Sequence, residues 1–120
     1  MSQKKNVVFY ACSGAANVGE MADRAARQMM KEGYGAMWCL SGLAAGVENH
    51  LKTAREADLN VVLEGCPVDC AKLVFDKCGL SNYVQIKVTD LGFEKKKGVP
   101  VTEEEVARVV AKTKEILATA

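Results

Sequence analysis

Residues 5–17 read KNVVFYACSGAAN, an apolar run that ends in a cysteine and is followed by small residues. The apolar side chains are continuous from Val7 to Tyr10 instead of alternating, which is typical of a strand covered on both faces. After the small residues, an apolar pattern with helical spacing continues until Gly33; its members are Val18, Met21, Ala22, Ala25 and Met29. The stretch therefore predicts a central strand, a loop that begins near Cys12, and a helix.

The same unit recurs twice along the chain. Residues 34–40 and 59–63 are two further apolar runs. The first is followed by a loop of small residues at 41–46 and then by a helical stripe of Val47, Leu51 and Ala54. The second is followed by a helix that we expect to begin near Pro67 and to end before Gly79. Three successive strand–helix units are thus predicted.

The remaining residues predict one more strand and one more helix. Residues 83–88 alternate between apolar and polar side chains, as in a half-exposed strand at the edge of a sheet. Thr102 and Glu105 fit a capping box, and the helix that follows has an apolar stripe of Val106, Val109, Val110, Thr113 and Leu117.

Alternating strands and helices predict a parallel sheet, because parallel neighbours need crossover connections, which are nearly always right-handed. We therefore expect a single α/β domain over residues 1–120, with three layers and a four-stranded parallel sheet in the order 2-1-3-4. This architecture is Rossmann-like, with helices on both faces. The first strand lies beside the second and the third, and ligands of such sheets usually bind at that switch point.

Composition excludes several classes of function. The chain has 120 residues, and 16 Lys and Arg against 15 Asp and Glu leave a net charge of only +1, which argues against a nucleic-acid partner. Because no apolar stretch approaches about 18 residues and residues 1–5 lead into a strand, we expect a cytoplasmic protein with no membrane partner. The five cysteines are then expected to be reduced.

The cysteines follow the predicted strands. Cys12 ends the first, Cys39 ends the second, and Cys66 comes three residues after the third. Parallel strands share their carboxyl edge and lie about 4.8 Å apart, so these thiols are expected to converge. If the third helix begins at Cys66 or Pro67, Cys70 lies one turn further on and joins them. The remaining thiol, Cys78, is expected on the buried face of that helix, away from the site.

Four cysteines around one point are the ligands of a closed zinc site or of an iron–sulfur cluster. Spacing alone does not separate these two, and a thiol oxidoreductase or thiol-transfer protein remains an alternative that uses the same cysteines. The start of the third helix should favour thiolates at Cys66 and Cys70 over Cys78. Nearby carboxylates at the same edge are outer-sphere or acid–base candidates, and they are Glu64, Asp69 and Asp90. We expect His50, the one histidine, at the surface or at the core boundary.

Four segments of the chain resemble the DGC-domain family, small prokaryotic proteins described as zinc-binding because of four potentially chelating cysteines. These segments are residues 11–19 (ACSGAANVG), 39–42 (CLSG), 64–71 (EGCPVDCA) and 88–92 (VTDLG). The resemblance implies that Cys12, Cys39, Cys66 and Cys70 are metal ligands, the same four that the strand ends indicate. Our interpretation is a protein that binds a metal ion, Zn²⁺, through these cysteines, and we do not expect an enzyme. One departure is that Glu64 replaces the aspartate of the Asp-Gly-Cys motif.

Overall fold

A computed structural model describes residues 6–65 and 67–119 of the chain. Cys66 lies outside the described residues, as do residues 1–5 and 120. The strands are β1 (Val7–Ala11), β2 (Ala36–Met37), β3 (Leu59–Glu64) and β4 (Tyr83–Lys87). The helices are α1 (Asn17–Lys31), α2 (Leu40–Ala44), α3 (Glu48–Glu56), α4 (Cys70–Lys77) and α5 (Glu103–Thr119), and a 3₁₀ turn spans Val88–Leu91.

The four strands form one parallel sheet in the order β2-β1-β3-β4. In the register of the central pair, Ala11 lies opposite Leu63, so both strands end at the same edge. The predicted strand order, the parallel pairing and the edge position of the fourth strand are confirmed.

Side chains of β1 alternate between two cores, one on each face of the sheet. Phe9 and Ala11 pack with α1 and α5. Val8 and Tyr10 pack with α2, α3 and α4, and the ring of Tyr10 meets Phe75 edge-on with 5.0 Å between centroids. The fold therefore has the three expected layers, because both faces of β1 are buried. Within the described residues, no helix has the length and apolar character needed to cross a membrane.

The second strand is shorter than the apolar run at residues 34–40 predicts. The amide of Trp38 still donates to the Phe9 carbonyl at 3.1 Å, but Cys39 then becomes the residue before helix α2. This helix occupies part of the predicted loop. Ser41 and Gly42 are weak helix formers, yet Gly42 packs so closely on His50 that a Cβ there would lie 2.4 Å from the imidazole Nε2. Tertiary packing thus outweighs local propensity here.

Helix α4 begins at Cys70, and the expected start near Pro67 is wrong. The capping position belongs to Asp69, whose φ of 63° places it in the left-handed region. The reason is a contact that is distant in sequence: the carboxylate of Glu64, at the end of β3, accepts hydrogen bonds from the first turn of α4. Cys70 is therefore the first helical residue and does not lie one turn into the helix.

The capping box of the last helix is confirmed. The amide of Glu105 donates to the Thr102 hydroxyl at 3.2 Å, and the Thr102 amide donates to the Glu105 carboxylate at 2.8 Å. Two backbone donors at the helix start are satisfied in this way. The predicted buried stripe is also present, except that Leu117 is only partly buried.

Candidate metal centre

Three of the four predicted ligands lie at the carboxyl edge of the sheet, where each strand ends and the chain continues toward a helix. Cys12 directly follows β1, and its amide donates to the Leu63 carbonyl at 2.9 Å, which continues the pairing with β3. Cys39 lies two residues after β2, before the start of α2. Cys70 is the first residue of α4, after β3. The fourth predicted ligand, Cys66, lies outside the described residues.

Two neighbouring clefts open at this edge, and Cys12 lines both. The larger one, the Cys39 cleft, has a volume of about 610 Å³ and contains Cys12, Cys39 and Trp38 in its wall. The smaller one, the Cys70 cleft, has a volume of about 280 Å³ and contains Cys12 and Cys70. The edge therefore pairs Cys12 with each of the other two thiols in turn.

The three described thiols do not by themselves form a metal-binding cluster. Among residues 6–65 and 67–119, no three His, Cys, Asp or Glu side chains are close enough together to hold one ion. The residues nevertheless fit a soft metal in type, because thiols from three separate segments reach two adjoining clefts.

Cys39 is an exposed thiol in an environment that favours its ionised form. The backbone N–H of Gly42 is the main group that lowers the pKa of the Cys39 thiol, and the backbone and hydroxyl of Ser41 assist. Cys70 is exposed as well, and neither thiol is in a disulfide. Both residues are therefore accessible to a metal ion or to a reagent in solution.

Glu64 is a buried carboxylate behind the cysteines. Its side chain is 1% exposed, and it accepts hydrogen bonds from the amides of Ala71 at 3.1 Å and Lys72 at 2.6 Å. The Gln85 side chain donates a third bond at 3.2 Å. Glu64 thus caps α4 from the end of β3, and it supports the helix on which Cys70 lies.

Asp69 connects the turn before Cys70 to the edge strand β4. One of its carboxylate oxygens accepts from the Gln85 amide at 2.9 Å and lies 2.9 Å from the Lys87 ammonium. Lys87 first and Gln85 second lower the pKa of the Asp69 carboxyl. A left-handed conformation costs a non-glycine residue about 1–2 kcal/mol, and these contacts help to offset it.

Other predicted candidates lie elsewhere or have structural roles. Asp90 is exposed in the 3₁₀ turn after β4. His50 is half-buried and meets the ring of Trp38 edge-on, with 5.0 Å between centroids. Cys78 packs against the core at the end of α4, where its thiol contacts the Leu43 carbonyl at 3.7 Å. As expected for Cys78, it lies apart from both clefts.

The sequence analysis did not identify Gln85 and Lys87, which contact the Asp69 carboxylate. The alternation of β4 could have indicated them, because it places both side chains on the same face of the strand. Residues 95–97 form a charged run (KKK) that is exposed in the structure, and Lys95 and Lys97 also line the Cys70 cleft. No pattern within that charged run could have shown which residues it packs against.

Family comparison adds a second line of observation to this geometry. The family model described as the DGC domain matches residues 8–113, which include all four predicted ligands. The chain belongs to the DGC domain family. It is also similar to the anaerobic and virulence modulator AnvM of Pseudomonas aeruginosa, with 24% identity over 110 residues that cover 92% of this chain and 84% of that protein. No solved structure matches the chain significantly.

Proposed function

We propose that this DGC-domain protein binds one Zn²⁺ ion through Cys12, Cys39, Cys66 and Cys70. The main support for this proposal is the position of Cys12, which lines the Cys39 cleft and also the Cys70 cleft. A metal ion bound at Cys12 would therefore lie next to the clefts that contain Cys39 and Cys70. Cys66 completes the proposed set through its position in the sequence between β3 and α4.

The chemistry of the edge supports a soft metal. Thiolates are the preferred ligands of Zn²⁺ in closed four-coordinate sites, with Zn–S distances of about 2.3 Å. The lowered pKa of the Cys39 thiol reduces the cost of deprotonation, which every thiol must undergo before it coordinates.

Metal binding must bring the described thiols closer together, since no three of them form a cluster within the described residues. Cys39 and Cys70 are exposed and lie at the starts of α2 and α4, whereas Cys12 extends a central strand pair. We therefore expect the Cys39 and Cys70 side chains to turn toward Cys12 when the ion binds. The protein would fold without metal and gain stability at this edge with it.

The test is a Zn²⁺ titration of reduced protein without oxygen, in competition with a chromogenic chelator. We expect one ion per chain, with proton release, and strong weakening when Cys12, Cys39, Cys66 or Cys70 is replaced singly by Ser. Cys78→Ser is the matched control, because that thiol lies outside both clefts. Unchanged binding by the Cys66→Ser, Cys70→Ser double variant would refute the proposal.

A second candidate function is thiol–disulfide chemistry, with Cys39 as the attacking thiol and Cys12 as its partner. It is favoured by the exposure of Cys39 and by the cleft that the two residues share. The group that accepts the electrons would be a disulfide substrate. Disulfide exchange that is lost in Cys39→Ser, in protein that binds no metal, would favour this function over zinc binding.

An iron–sulfur cluster is a third use of the same four cysteines. Colour distinguishes an iron–sulfur protein from the zinc-binding and thiol–disulfide functions, because iron–sulfur protein purified without oxygen would be brown, whereas the zinc form is colourless. A cysteine site that responds to metal or to oxidation also suits a protein related to one that is named an anaerobic and virulence modulator.

A further inference from the structure

We propose that the Cys70 cleft is a binding site for a small anion with two negative charges, held by Lys95 and Lys97. Both lysines line this cleft of about 280 Å³, together with Cys12 and Cys70. The inference goes beyond metal binding and does not depend on it, because it rests on the two ammonium groups and the shape of the cleft.

The two lysines reach the cleft because the chain is extended there. Lys97 forms an antiparallel bridge with Ala16, and successive side chains of extended backbone point to opposite sides. Lys95 and Lys97 therefore face the cleft together, whereas Lys96 between them lies 3.8 Å from the Glu94 carboxylate. The alternation gives the cleft two positive charges from a run of three.

The charges of the cleft are not neutralised by the protein. Lys95 and Lys97 form no ion pair with any residue that the structure describes, and no carboxylate from those residues lines the cleft. By contrast, Lys72, Lys87 and Lys114 each lie within 2.9 Å of a carboxylate oxygen. Two lysines at the cleft without an ion-pair partner attract an anion to it.

The segment that carries the lysines is anchored on the first residue of α1. The Asn17 amide donates to the Lys96 carbonyl at 2.8 Å, and the Asn17 side chain accepts from the Lys96 amide at 2.6 Å. The same side chain donates to the Glu94 carbonyl at 3.0 Å. Three hydrogen bonds hold the backbone on either side of Lys95, so the segment that carries the lysines is held at the cleft before a ligand binds.

The size of the cleft limits the ligand. Pockets for drug-sized molecules usually have about 300–1,000 Å³, so a cleft of about 280 Å³ suits a small dicarboxylate or oxyanion and is too small for a nucleotide. Two ammonium groups match two negative charges. A small dianion is therefore the class of ligand that the site fits.

The test is calorimetric titration of reduced protein, stripped of metal by a chelator that is then removed, with succinate at low ionic strength. Succinamide, which has a similar size and no charge, is the ligand control. We expect succinate to bind, succinamide not to bind, and added salt of about 0.15 M to weaken succinate binding, since both cations are exposed.

Paired variants locate the site. The Lys95→Met, Lys97→Met double variant should bind succinate about tenfold more weakly, since each exposed ion pair contributes up to about fivefold. Lys52→Met, Lys77→Met removes the same charge from exposed lysines outside the cleft and should keep wild-type affinity. Lys95→Arg, Lys97→Arg should retain binding. No succinate binding by the wild-type protein, or an equal loss of succinate affinity in both methionine double variants, would overturn the inference. Neither outcome bears on zinc binding, which its own titration tests.

Discussion

Replacement of Glu64 by Ala is expected to destabilise the metal-free protein through the start of α4. The carboxylate is 1% exposed and accepts hydrogen bonds from Ala71, Lys72 and Gln85. Asp69, in the capping position, makes no capping hydrogen bond, and no side chain other than Glu64 among residues 6–65 and 67–119 caps this helix. The substitution therefore removes the carboxylate that accepts from the Ala71 and Lys72 amides in the first turn of α4.

The size of the effect follows from these contacts. Loss of a helix cap costs about 1 kcal/mol in the free energy of unfolding. The bond to the Ala71 amide is buried, and an unsatisfied buried donor adds about 1–3 kcal/mol. We expect Glu64→Ala to lower the free energy of unfolding by about 2–4 kcal/mol.

Urea denaturation of reduced, metal-free protein, followed by far-ultraviolet circular dichroism, measures the change. Glu20→Ala is the matched control, because that carboxylate is exposed and its contact with Arg24, at 3.5 Å, lies on the surface of α1. It should cost less than about 0.5 kcal/mol. Glu64→Asp, which restores the residue of the family motif, should fall between the two because its carboxylate is one methylene shorter. Equal stability of Glu64→Ala and Glu20→Ala would refute the capping role of Glu64.

Three further predictions concern packing, pH and reactivity. Gly65→Ala should lower the free energy of unfolding, measured in urea, by about 1–3 kcal/mol, because the added Cβ would lie 2.8 Å from the backbone of Gly19. Gly14→Ala is the control, since a Cβ there meets nothing within 4 Å, and a similar loss in that variant would contradict close packing as the cause. Burial raises the pKa of Tyr10 to about 12, so as the pH rises the tyrosine ionises in the unfolded chain before it does in the folded protein. The contribution of neutral Tyr10 to the free energy of unfolding is therefore fully present below pH 10 and is lost as the pH rises toward 12. Over that range the free energy of unfolding should fall by about 2–3 kcal/mol more in the wild-type protein than in Tyr10→Phe. If the free energies of the two proteins changed with pH in parallel, the raised pKa of Tyr10 would be wrong. Brief iodoacetamide treatment of metal-free protein should label Cys39 before Cys78, because Cys39 is exposed with a lowered thiol pKa, whereas Cys78 is half-buried and packs against the core. Mass mapping that finds the reverse order would contradict this expectation.

The fold was predictable wherever the hydrophobic pattern alone decides it. The continuous apolar run of β1 indicates burial on both faces, and the alternation of β4 indicates an edge, so the strand order follows from right-handed crossovers. The capping box of α5 was equally readable because Thr102 and Glu105 are three residues apart. In each case the interacting groups are close in sequence or periodic.

The parts that sequence reasoning missed depend on contacts between distant residues. Helix α4 begins at Cys70 because Glu64 reaches it from β3, and Gly42 is helical because it packs on His50. Neither contact leaves a periodic pattern. That Cys12, Cys39 and Cys70 lie at one edge of the sheet was predictable from strand direction. Their division between two clefts depends on loop packing, which the sequence pattern does not contain.

X-ray absorption at the zinc edge of the metal-loaded, reduced protein identifies and counts the atoms bound to the ion, and so tests whether four cysteines hold it. We expect four sulfur ligands at about 2.3 Å and the loss of one sulfur in Cys39→Ser, with an unchanged spectrum in Cys78→Ser. A first shell dominated by nitrogen or oxygen ligands at about 2.0–2.1 Å would contradict a four-cysteine zinc site at this edge of the sheet.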